Sequence, residues 1–155
     1  MLLQNGIGFA AAADAYAKAD QGREWFVLYF LLAQSLELTL KAFIVNQGTT
    51  ERQLRRIGHD LTGALERADL AIVPPLSAIE RPSIDLPSRW HSEQLTRYPL
   101  MQGYAIPRPR IVREMLAKVI ESVYVAVWDR STLERDRASE RGLGLSVDLD
   151  AAYGD

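Results

Sequence analysis

All seven prolines of this 155-residue chain fall between Pro74 and Pro109. Proline removes a backbone donor and its ring clashes with the preceding turn, so long helices are confined to the two flanking stretches. The first runs from the N-terminus to residue 73 and the second begins at Pro109. The chain is thus divided into a helical N-terminal half, a broken middle and a helical C-terminal segment.

Within the first stretch, the alanine-rich segment 8–18 predicts one helix, because alanine has the best helix propensity. Asp20-Gln21-Gly22 predicts a break. Segment 23–46 predicts a longer helix. Phe26, Phe30, Ala33, Leu36, Leu40 and Ile44 step along one face at spacings of three and four. Leu28, Leu32 and Phe43 widen that stripe, so more than one neighbour must cover it, and Gln34, Glu37 and Lys41 share the polar side. Gly48 suits the C-terminal cap. Thr50-Glu51-Arg52-Gln53 reads as a capping box that starts a short helix, interrupted at Gly58. Asp60 is placed to cap another helix through residue 68, with Leu61, Ala64, Leu65 and Ala68 facing inward. In the middle, Ser88 is expected to cap a short helix reaching Thr96 and stopped by Pro99. Pro109 suits the first turn of the last helix, whose buried stripe is Val112, Leu116, Val119, Val123 and Val127. No strand pattern appears. The expectation is an all-α fold, an up-and-down bundle of four to five helices over residues 1–130, followed by a charged, flexible tail over 131–155.

Composition narrows the chemistry. Charged residues make up 25% of the chain but the net charge is only -2. A dedicated duplex-binding domain would be basic, although a local basic patch is compatible with this balance. Cysteine is absent, which excludes disulfides, thiol catalysis and Cys-based zinc sites. With two histidines and no His-Glu-x-x-His, no metal and no cofactor are expected. His91-Ser92-Glu93 matches part of a zinc-deaminase signature whose Pro-Cys-x-x-Cys half is missing. Gly6-Ile7-Gly8-Phe9-Ala10-Ala11 matches a dinucleotide fingerprint as text, but no strand precedes it. There is no Gly-x-x-x-x-Gly-Lys loop. Ser35, one turn before Thr39, reads as a small helix–helix contact. The apolar run Trp25 to Ala33 is far short of the ~20 residues that span a bilayer, so it is read as a core helix. The first residues lack the basic start and apolar core of a signal peptide, so a cytoplasmic location with no membrane contact is expected.

The residues with chemical potential are Glu37, Lys41, His59, Asp60, Arg97 and Tyr98. Glu37 and Lys41 lie one turn apart on one helix face among apolar neighbours, and buried charges need partners. Two readings stay open. In the first, Glu37–Lys41 is a structural ion pair, Asp60 an N-cap and His59 a hydrogen bond across the helix junction. In the second these residues line a pocket between helices, where Lys41 and Arg97 hold phosphate or carboxylate groups and Tyr98 stacks on a base.

The stretch Ala33-Gln34-Ser35-Leu36-Glu37-Leu38-Thr39-Leu40-Lys41-Ala42-Phe43, then Gly48, then Gly58-His59-Asp60-Leu61, and later Arg97-Tyr98-Pro99, resembles HEPN-domain proteins (higher eukaryotes and prokaryotes nucleotide-binding). The resemblance implies an up-and-down helical bundle, often a homodimer, that binds nucleotide or RNA. It also implies a nucleotidyltransferase-like or antitoxin partner. Some members of that superfamily are metal-independent ribonucleases that use an arginine and a histidine with four to six residues between them. Arg52 and His59 have six residues between them and are the catalytic candidates the resemblance implies. The chain departs from the family pattern in one respect: that motif usually lies by the final core helix, and here the segment after Pro109 has no histidine.

Overall fold

The apolar stripe centred on Leu36 becomes α2 (Trp25–Asn46), and every other helix packs on it. In the computed structural model the described residues are 1–20, 25–68, 82–93 and 108–129, with Thr132 and Arg135 beyond them. Among these residues there are six helices and no strand, so the all-α expectation holds and the helix count is one above the expected range. The expected tail lies outside the described residues, apart from Thr132 and Arg135.

α1 (Leu2–Asp20) begins six residues earlier than the alanine-rich core of the sequence suggested. Gly6 and Gly8 sit inside it, which excludes a phosphate-binding turn at the dinucleotide-like string. Tertiary contact explains the extension. Leu3, Gly6, Ala10, Ala13 and Ala17 are buried at alternating spacings of three and four. Most of these side chains are small, so the backbones of α1 and α2 approach closely. A Cβ built on Gly6 would lie 2.6 Å from Thr39 Oγ1 and 3.2 Å from the Ser35 carbonyl oxygen. Ser35 Oγ donates to the Gly6 carbonyl at 2.6 Å. The expected small helix–helix contact is therefore present. Gly6 opposite residues 35–39, with the connection at residues 21–24, makes the pair antiparallel.

Gly48, at φ 85°, ends α2 in the left-handed conformation that glycine adopts without a steric penalty. α3 (Glu51–Ile57) follows with the expected capping box: Gln53 N–H donates to Thr50 Oγ1 and Thr50 N–H to Gln53 Oε1. Gly58, at φ 57°, reverses the chain into α4 (Leu61–Arg67), capped by Asp60 as expected.

α5 (Pro82–Ser92) departs from expectation. Ser88 lies inside the helix, which ends at Ser92. Pro87 is also internal, at a cost of roughly 3 kcal/mol in a helix interior. Burial offsets that penalty. Ile84, Ser88 and His91 face the core at helical spacing, and Trp90 is 1% exposed. Trp90 packs against Trp25 and Tyr29 of α2, with ring centroids 5.5 and 5.9 Å apart.

α6 (Pro109–Trp128) starts with proline in its first turn as expected. Val112, Leu116, Val119 and Val123 are buried, while Val127 is only partly covered. Leu32, Ala33 and Leu36 of α2 line a small apolar cavity with Val112, Met115 and Leu116 of α6. Asn46 Nδ2 reaches the Ala126 carbonyl at the far end, so α6 runs parallel to α2. Among the described helices, α2 is the one long and apolar enough to cross a membrane by length and composition. Here most of it is buried inside the bundle, with Glu37 and Lys41 in its C-terminal half.

Candidate functional site

The site is assembled by the joint between α4 and α5. Asp60 accepts the Gly63 N–H at 3.0 Å in an N-cap, and Ser88 Oγ of α5 lies 3.4 Å from the same carboxylate oxygen. Ser88 Oγ in turn accepts the Thr62 N–H at 3.1 Å. This link clamps the start of α4 onto the middle of α5. One residue before Asp60 stands His59, and three residues after Ser88 stands His91. The clamp therefore brings the chain's two histidines together edge to face, with ring centroids 5.2 Å apart.

Both imidazoles meet Glu37 of α2. His59 Nδ1 lies 3.0 Å from Glu37 Oε2, and His91 Nε2 contacts the same oxygen. Lys41 Nζ donates to Oε1 at 2.5 Å. An ionised carboxylate only accepts, so the protons sit on His59 Nδ1 and His91 Nε2. The Glu37 and His91 side chains are each 5% exposed, Lys41 is 14% exposed and His59 is half exposed. The cluster is thus a buried carboxylate with one imidazole at the protein surface.

Burial alone pushes the Glu37 carboxyl up. Hydrogen bonds from His91, His59 and Lys41, together with the Lys41 charge, outweigh it and hold the group at about 2. Glu37 therefore stays a carboxylate throughout the neutral range.

Of the six residues singled out by sequence, the fold joins Glu37, Lys41 and His59 directly. Asp60 is adjacent, but its carboxylate serves the α4 cap and the Ser88 link. Arg97 and Tyr98 lie outside the described residues. Arg52, the proposed catalytic partner of His59, is exposed on α3, and among the described residues no hydrogen bond or ion pair joins it to the cluster. Arg55 pairs with Glu51 on the same solvated helix.

His91 is the member that sequence reasoning missed. Starting the helix at Ser88 gave it no core face, and His91 entered only as part of the incomplete His-x-Glu string. Framed from Pro82, the series Ile84, Ser88, His91 occupies one face, and the imidazole points inward with the other two.

Chemically, the arrangement offers a half-exposed imidazole at the protein surface, a lysine beside it and three candidate metal ligands. One ligand atom each from Glu37, His59 and His91 lies within 4.8 Å of the other two. The chain matches no protein-family model, and no characterised protein or solved structure is significantly similar to it.

Proposed function

We propose that the chain is a HEPN-like binding module whose Glu37-centred cluster forms the floor of an inter-helix pocket for a phosphate-bearing ligand, a nucleotide or RNA. The observation that carries this reading is the buried Glu37 carboxylate, which holds Lys41, His59 and His91 together at the edge of the bundle. Lys41 keeps two further N–H donors beyond its bond to Glu37, and a protonated His59 imidazole would present its Nε2–H at the surface, a set that suits phosphate oxygens. The homodimer and the nucleotidyltransferase-like or antitoxin partner belong to the same reading.

Calorimetric titration of mononucleotides and short RNAs, with EDTA present, tests it. Saturable binding is expected in the wild type. His59→Ala should weaken it about tenfold, the equivalent of one charge-assisted hydrogen bond, with helical content unchanged. Absence of saturable binding by every ligand overturns the proposal, and a strict monomer in sedimentation removes its dimeric part. The ribonuclease alternative predicts metal-independent RNA cleavage that disappears in both Arg52→Ala and His59→Ala. Cleavage unchanged in both variants, or no cleavage by the wild type, eliminates that alternative.

A further inference from the structure

We infer that Glu37, His59 and His91 form a binding site for a divalent transition metal of the zinc class. The donor set is two imidazole nitrogens and one carboxylate oxygen, drawn from α2, from the turn before α4 and from α5. Such a set suits first-row divalent ions rather than magnesium or calcium, which prefer all-oxygen surroundings. Three protein ligands with a fourth position open describe a catalytic type of zinc site, not a closed structural one.

The spacing fits. Zinc bonds to imidazole nitrogen and carboxylate oxygen at about 2.0–2.2 Å, so tetrahedral ligands stand about 3.3–3.6 Å from one another. His59 Nδ1 and Glu37 Oε2 are already 3.0 Å apart, and no pair in the set exceeds 4.8 Å. For an ion to enter, each neutral imidazole moves its proton to its other ring nitrogen, so that His59 Nδ1 and His91 Nε2 exchange their N–H···O hydrogen bonds for lone-pair coordination and Glu37 Oε2 supplies the third bond. The widest pair closes by at most about 1.5 Å, while His91 and Glu37, in closer contact than two ligands of one ion, draw slightly apart. His59 has the most room to move. Its ring is half exposed, on a turn that follows a left-handed glycine.

The surroundings also have the form of an outer shell. Lys41 holds Oε1 of Glu37 and leaves Oε2 directed at the imidazoles, as outer-shell donors orient ligating carboxylates. Phe30 packs near the His91 ring, at a centroid distance of 6.4 Å, and adds an apolar wall to that side of the site. The Lys41 charge opposes a second cation, so affinity should fall below that of a Cys-rich structural site. The fourth position faces solvent on the His59 side and takes water. If the phosphate reading above also holds, a phosphate oxygen occupies the same place, but the metal site does not depend on that reading.

The test uses the metal alone on the full, untagged chain. EDTA-dialysed protein is titrated with Co2+ in the absence of nucleotide, followed by visible absorption, and Zn2+ is then added to displace it. Because the chain has only two histidines and no cysteine, imidazole ligation can arise at no other place. We expect one equivalent of Co2+, bands characteristic of four- or five-coordinate cobalt, and displacement by Zn2+. Both histidine ring signals should shift together in a proton NMR spectrum of the Zn2+ form. His59→Ala, a surface change, should weaken binding more than about tenfold while the circular dichroism stays helical, since losing a ligand costs at least as much as losing its outer shell. His91→Gln and Glu37→Gln should act likewise wherever they remain folded. No stoichiometric Co2+ binding, or binding that survives His59→Ala unchanged, overturns the inference. Because nucleotide titrations are run in EDTA and metal titrations without nucleotide, either proposal can fail alone.

Discussion

At the scale of single residues, Glu37 carries the most consequence. Its carboxylate is nearly inaccessible and accepts from three partners. Removing it leaves Lys41 and two imidazoles without their acceptor, and breaking a buried charge cluster costs about 3–5 kcal/mol. Glu37→Ala should lose that much in urea unfolding. His59→Ala, at a half-exposed position, should lose less than about 1 kcal/mol. Comparable losses for the two variants would show that His59 is as structural as Glu37. Acid should act through the same carboxyl. Its folded-state value of about 2 lies below the ordinary 4.5, so its contribution is fully present above that ordinary value. The contribution is lost as pH falls through the folded value, and a depression of this size corresponds to on the order of 3 kcal/mol. In EDTA, the stability gap between wild type and Glu37→Gln should be widest above pH ~5 and should close toward pH ~2. A gap independent of pH would disprove the assignment.

Among elements, α1 and α5 are set by their contacts more than by their own sequences. α1 contains two glycines, each about 1 kcal/mol worse than alanine for an isolated helix. It keeps Gly6 because Thr39 occupies the space a Cβ would need. Gly6→Ala should therefore destabilise by about 1–3 kcal/mol through overpacking, despite its better helix propensity. Gly8, with open space around it, should tolerate alanine and gain about 0.5–1 kcal/mol. Thermal denaturation of the two variants reads the opposite signs, and the same sign in both would refute the close-packing explanation. α5 is the converse case. Its interior proline is tolerated because Trp90 and Ile84 are buried and Ser88 ties it to the cap of α4. Here the sequence misled, because proline marks a weak helix and says nothing about the contacts that rescue one.

For the whole molecule, α2 is the hub, and α1 and α6 are also joined across the bundle by the Asp14–Arg113 ion pair. Arg113 is 7% exposed, and its Nε has no hydrogen-bond partner among the described residues. The described residues therefore satisfy the guanidinium only in part. Asp14→Ala would strand a buried cation and should cost about 3–5 kcal/mol. The double variant Asp14→Ala with Arg113→Met, which removes the charge as well, should recover much of that loss. Additive losses in the double-mutant cycle would mean that the pair is uncoupled.

What the sequence determined by itself was local. Proline placement set where the long helices run. The three-and-four spacing around Leu36 marked α2 as the core helix. The caps at Thr50 and Asp60 and the stop at Gly48 came through because each depends on atoms a few residues apart. That Glu37 and Lys41 meet His59 was legible for a related reason: charged residues on an apolar helix require partners, and the Gly58-His59-Asp60 turn begins the helix that must pack nearby. Only the tertiary structure decided that His91 completes the cluster, that Arg52 stands outside it and that α5 begins at Pro82. Those outcomes follow from long-range packing of α5 on α2 and α4, where burial of Trp90 and the Ser88–Asp60 link override local propensity. No short-range pattern encodes a contact between positions 37 and 91.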